Sequence, residues 1–401
     1  MKPRNDVLRI RCGIQHYDWG TRLRDGATPY IANLLGLEPS LDTPYAELWV
    51  GAHPDLPARV VTPEGDVPLD AFIEAAPRWI LGDRLVQAGY RSLPFLLKIL
   101  SCSHPLSIQA HPDKALAERL HRAAPETYPD SNHKPEIAIA LTDFEALCQF
   151  RSETRIRADL KRINGLSPLL QTAASPDNGN WLRGAYGHLF TLPAAVLHGM
   201  LEEAVRDIRA RTQQTEQDLC FLRLAEAYPG DRGTLSAYFL NRIRLRPGQA
   251  IFVGANQPHA YLCGTIVECM ANSNNVVRAG LTRKTVDADV LLNMLDYRAA
   301  PPRVIEGSVE PGSAALYNPP AEEFHVAVCR GPTEVNLGDV GGDGPALLLV
   351  LDGEIDRLEG SRPALRDATR GSTWLVPAAS RDIRLALKSG EDRLVIATPN
   401  L

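Results

Sequence analysis

Short apolar runs that alternate with a period of two, each cut off by Pro or Gly, dominate both ends of this 401-residue chain. Such a pattern fits half-buried antiparallel strands and is incompatible with long helices. In the first third, 46–51, 95–100, 106–111 and 136–141 read as strands, with helical pieces between them. One of these, 113–122, starts after Pro112 and sets Leu116 and Leu120 on one side.

Between about Glu153 and Tyr228 the period changes to that of a helix. The segment 194–211 follows Pro193 and spaces Leu197, Leu201, Val205 and Ile208 along one face, and 219–228 reads the same way. Strand character returns near Arg242, where the Pro247-Gly248 turn precedes a short apolar run. A short helix is expected over 287–297. From about residue 300 strands such as 346–351, 372–377 and 393–398 imply a second small barrel or jelly roll. The fold class is therefore mainly β with an α-helical insert. The expected division is a catalytic barrel over 1–150 and 236–300, a helical domain over 151–235, and a C-terminal barrel over 301–401.

Composition excludes several function classes. A formal net charge of −5 leaves no basic footprint for nucleic acid and no polybasic membrane anchor. Four basic residues lie in the first eleven, but no apolar run follows them, so no secretory signal is expected. The longest apolar stretches are too short to span a bilayer. Seven scattered cysteines without a C-x-x-C pair fit reduced thiols in a cytoplasm better than a disulfide framework or zinc knuckle.

Two strands carry polar rows that call for a partner. In LSIQAH, Leu106, Ile108 and Ala110 form one face, and Ser107, Gln109 and His111 the other. In HKPEIAIAL, Ile137, Ile139 and Leu141 point one way. Glu136 points the other, beside the small Ala138 and Ala140, with Lys134 on its face if the strand geometry extends back. His259 is expected in a turn after Gly254–Pro258. A buried polar row is costly unless satisfied. Two imidazoles, a carboxylate and an amide oxygen suit zinc, cobalt, manganese or iron, with a coordination position left for water or substrate.

Longer strings give this set a context. IQAHPDK at 108–114, HKPE at 133–136, PHAYL at 258–262 and VECMANSNNVVRAGLTRK at 267–284 resemble, in order and spacing, the signatures of the type I mannose-6-phosphate isomerase family. YDWG at 17–20, AELWVGAHP at 46–54 and PFLLKIL at 94–100 resemble further blocks of it. The resemblance implies cupin-type β-barrels flanking a helical domain, the second barrel without metal. It implies one divalent metal, Zn2+ first, on Gln109, His111, Glu136 and His259, with Arg278 as the active-site arginine. The implied reaction interconverts mannose 6-phosphate and fructose 6-phosphate through an enediol. The chain departs from the family pattern at Asn274, where Asp is common, at Gln257, where Glu is common, and at Arg283, where Pro is common.

The remaining assignments follow from the chemistry. An enediolate needs nearby positive charge, which Arg278 supplies, and a proton shuttle, for which Lys134 and Glu268 are the candidates and His133 ranks lower. Lys98 and Ser107 are candidates for the substrate phosphate, and Trp19 for a wall of the sugar pocket. The expected partner is a small-molecule sugar phosphate, with no nucleic acid and no membrane; the oligomeric state stays open. Two alternatives share these residues: a cupin-type metal oxygenase, and a sugar-phosphate-binding barrel with impaired turnover.

Overall fold

The run Phe95–Cys102 is apolar on both faces apart from Lys98 and Ser101, and all eight of its residues are buried. A strand buried on both faces belongs at the centre of a sheet. In the computed structural model, which describes residues 7–171, 180–308, 310–359, 368–381 and 383–400, it does. It lies between Glu47–Val50 and the 13-residue strand His259–Ala271, in an antiparallel sheet that continues through Glu136–Ala140 and Ala250–Val253.

His259–Ala271 is the spine of the first barrel. Its first half pairs with Ile108–Ala110 and Phe144–Phe150, its second with Phe95–Cys102 and Glu136–Ala140. Between the halves Tyr261 pairs with Ala146 and Cys263 with Glu145, which leaves Leu262 as the extra residue of a β-bulge. Gly264 follows at φ 109°, where an added Cβ would lie 2.4 Å from the Asp143 carbonyl oxygen. Only glycine fits that bend.

The expected alternation holds at Glu136–Ala140. Ala138 and Ala140 pack inside the first barrel with Ala146 and Tyr261. Ile137 and Ile139 face outward into a core shared with Phe324, Leu347 and Val395 of the C-terminal part. That part gives five strands, including His325–Arg330, Ala346–Asp352 and Arg393–Thr398, to an eight-stranded sheet completed by Leu8–Arg11, Arg59–Val60 and Val67–Pro68, beside a three-stranded sheet. Helices Glu153–Arg162, Trp181–Thr191, Ala194–Arg209 and Glu216–Ala227 form the insert, packed on Phe150, Tyr186 and Phe239.

The structure differs from the sequence reading at three places. The strand expected over 106–111 spans only Ile108–Ala110, between Pro105 and Pro112. Two helices not anticipated, Leu69–Ala75 and Pro77–Gln87, cover the first third, the second with Pro77 in its first turn. The N-terminal strand Leu8–Arg11 pairs with Thr373–Val376, so it joins the C-terminal sheet although it falls within 1–150.

Candidate metal centre

Three strands bring their polar residues to one point inside the first barrel. Glu136 opens its strand opposite Val253 and Met270. His259 is the first residue of the long strand, opposite Gln109 and Cys148, and not part of a turn: its backbone is already in the ladder. Directly opposed residues share a face, so Gln109 lies on the side of His259. His111 follows the end of the short strand.

His111, Glu136 and His259 are fully buried, and one donor atom from each lies within 4.8 Å of the others. His111 Nε2 is 3.3 Å from Glu136 Oε2, and His259 Nε2 is 3.1 Å from Oε1. No hydrogen bond satisfies either Nε2 or Oε2. Orphaned buried polar atoms are rare singly, and three facing one another fit a cation.

The opposite edges of the rings fix which nitrogen is free. His111 Nδ1 is 2.8 Å from the Asn275 carbonyl, and His259 Nδ1 is 3.0 Å from that of Gln257. A carbonyl only accepts, so each Nδ1 holds the proton and each Nε2 presents a lone pair. Burial, helped by Lys134, pushes the His111 pKa down to about 4, which keeps the ring neutral. Burial alone would raise Glu136, but Lys134 and the two imidazoles hold it well below the usual carboxylate range. Lys134 Nζ is 3.4 Å from Oε2, and the Tyr261 hydroxyl donates to Oε1 at 2.7 Å.

Above this cluster opens a cavity of about 740 Å³, within the range of small-molecule sites. Gln109, Lys134, Tyr261 and Glu268 line it, as do Trp19, Lys98, Ser107, Arg278, Arg283 and Lys284. The ten residues named from sequence thus lie around one site, seven on the cavity and three beneath it. Their settings differ. Lys98 is held between Glu268 at 3.3 Å and Glu47 at 3.6 Å, over the Trp49 ring, rather than free for an anion. Burial opposes its charge, but those carboxylates raise its pKa. Burial raises the Glu268 pKa as well, and the nearby Glu136 and Glu47 carboxylates add to the rise against the opposing pull of Lys98 and Lys134. Arg278 stands opposite Gln109 and has no hydrogen-bond or ion-pair partner among the described residues. Only burial lowers its pKa, and it stays protonated. Trp19 lines the cavity and also packs against the barrel core.

Asn274 donates from Nδ2 to Asp55 at 2.8 Å and from its backbone to Asp130 at 2.7 Å. Asp55, Glu47 and Asn275 carried no isolated signal in the sequence. Tyr261 did: two residues beyond His259 on a strand, it shares that face.

Comparison with known proteins agrees with this geometry. Residues 7–153 match the family model for the catalytic domain of type I phosphomannose isomerase. The chain is 36% identical to mannose-6-phosphate isomerase 1 of Arabidopsis thaliana, over 97% of this chain and 93% of that one. It is 35% identical to the human mannose-6-phosphate isomerase, over 97% of each. A zinc-bound crystal structure of a mannose 6-phosphate isomerase superposes with a TM-score of 0.82 at 28% identity, over 99% of this chain and 100% of that one.

Proposed function

The chain belongs to the type I phosphomannose isomerases, and from that premise we infer that it interconverts mannose 6-phosphate and fructose 6-phosphate with the help of a bound zinc ion. The observation that carries this for the present residues is the set of facing, unsatisfied atoms His111 Nε2, His259 Nε2 and Glu136 Oε2. With Gln109 beside them they form a nitrogen and oxygen donor set that suits zinc. Bound there, the ion supplies fixed positive charge next to the substrate oxygens.

The chain's own residues do the rest. Lys134 carries the proton between C1 and C2, taking it as the free amine and returning it as the ammonium, since its Nζ lies at the boundary of the donor cluster and the cavity. Glu268, raised above the usual carboxylate range by burial, is the second acid/base, serving the oxygens of the enediol. Arg278, unpaired and half-buried, stabilises the enediolate. Ser107 and Lys284 hold the phosphate, with Arg283 close by, while Lys98 acts through Glu268 and Glu47. Trp19 walls the sugar. No described helix is long and apolar enough to cross a membrane, and all seven cysteines are free, which supports a cytoplasmic setting.

The test is fructose 6-phosphate formation in a coupled assay, before and after chelation. Chelation abolishes turnover, and zinc, cobalt or manganese restores it. His111→Ala and His259→Ala lose metal and activity together. A fully active, metal-free preparation would overturn the assignment.

A further inference from the structure

Lys134 and Glu136 are reached through residues 130–135, which form neither helix nor strand. Such a segment needs outside contacts to place a side chain with four rotatable bonds. The first barrel grips one side of it. The Asn132 carbonyl accepts from Ser273 Oγ at 3.1 Å and from Asn275 Nδ2 at 2.9 Å, and Asn132 Nδ2 donates to the Asn272 carbonyl at 3.3 Å.

The other side is held from the second barrel. His133 Nε2 lies 2.5 Å from Glu323 Oε1. Glu323 is 4% exposed and sits just before the strand His325–Arg330. Burial would raise its carboxyl pKa, but His133 draws it below the usual range, so the ring donates to a carboxylate. Its loop is pinned by the far end of the chain. Asn400 donates from its backbone to the Glu322 carbonyl at 3.1 Å, and from Nδ2 to the Ala321 carbonyl at 2.9 Å. Glu323 Oε2 has no hydrogen bond. A buried carboxylate with so few partners is costly to keep for stability alone.

We propose that Glu323 is a positioning residue for the reaction: a residue of the second barrel that, by holding His133, sets where Lys134 stands in the cavity of the first. The proposal rests on the reading of Lys134 as acid/base. It also gives the second barrel a part in catalysis although no ligand set was found in it among the described residues. A misplacement of about 1 Å at a reacting group costs about 100-fold in rate. A contact one residue away is therefore able to govern turnover without touching substrate.

The experiment uses the zinc-loaded full chain and measures kcat, KM, zinc content and thermal midpoint for Glu323→Ala, Glu323→Gln, His133→Ala and the double alanine variant. Glu323→Ala should lower kcat about 10- to 100-fold, the usual cost of removing a supporting partner, with KM and zinc content little changed. Glu323→Gln keeps an acceptor and recovers most of kcat. The double variant should lose no more than the worse single one, because both remove the same link. Unchanged kcat in Glu323→Ala, additive losses in the double variant, or zinc lost in step with kcat would each overturn the proposal. Should Glu323→Ala fail to fold, Glu323→Asp takes its place under the same criteria, since it keeps the charge but withdraws it by one methylene. An inactive wild-type protein would instead sink the functional reading itself.

Discussion

Arg278 faces the cavity as a cation without an acidic partner among the described residues, so its charge is free to act on substrate. Arg278→Ala should lower kcat on the order of 100- to 1000-fold, the range for a preorganised donor, with KM much less affected. Arg278→Lys should recover only part, because a point charge does not reproduce a planar fork. Steady-state kinetics on fully metal-loaded protein checks both; near-normal kcat in Arg278→Ala removes it from the site. Asn274 invites the opposite change. An aspartate there would replace an amide that donates to Asp55 with a carboxylate facing Asp55. Like charges about 4 Å apart repel by about 1 kcal/mol in water. Asn274→Asp should therefore lower stability by up to about 1 kcal/mol, read as a lower thermal midpoint, and adding Asp55→Asn should restore it. A gain from Asn274→Asp alone would show that the carboxylate belongs at 274. At this scale Gln109, His111 and Glu136 stood out as polar residues beside an apolar alternation, while His259 entered through the family resemblance. Asn275 was not legible, because it acts through its backbone carbonyl, which every residue type has. Glu323 was not, because its partner lies 190 positions away in sequence.

Alternation also made the elements legible, up to the point where a strand breaks its own period. His259 and Glu268 both face the site, yet nine positions separate them, an odd number that a regular strand would send to opposite sides. The extra Leu262 supplies the missing step. Counting through a bulge is impossible without knowing the partner strand, which is why His259 read as part of a turn. In the helical insert, spacing gave the helices but not the residue that ties them together. Asp218 is fully buried and binds Arg162 at 2.8 and 2.9 Å, the Tyr238 hydroxyl at 2.9 Å and the Thr215 backbone at 2.9 Å. Breaking a buried pair costs about 3–5 kcal/mol; with Arg162 partly hydrated, about 2 kcal/mol is expected for Asp218→Asn. Burial opposes the Asp218 charge, but Arg162 and the hydrogen bonds hold its pKa below the usual value. Its contribution is then complete above the unfolded carboxylate pKa of about 3.9 and fades as the pH falls through the folded one. Thermal melts of the two proteins should differ most near neutrality and converge below about pH 4. A gap that stays constant with pH would deny the charge any part in it.

The barrels share one apolar core, in which Ile137 and Val267 of the first meet Phe324 and Val395 of the second. A chain ending at residue 300 would expose that face and lose Thr373–Val376, one of the two partners of its N-terminal strand. It should be insoluble or aggregate on expression, and calorimetry of the intact protein should show both barrels melting in one transition. A soluble, zinc-binding 1–300 fragment would contradict this. The sequence carried the strands of the second barrel but not the pairing of Leu8–Arg11 with it, since hydrogen bonding between distant segments leaves no local pattern. That pairing sets a clock on manufacture. Leu8 is opposite Leu375, 367 positions later, so although Ile10 meets Val60 early, the other edge of the first strand waits for one of the last. At about 5–20 residues per second on the ribosome, the wait is about 20 to 70 seconds. During it the nascent first barrel carries an apolar flank that only the strands of the second barrel will cover.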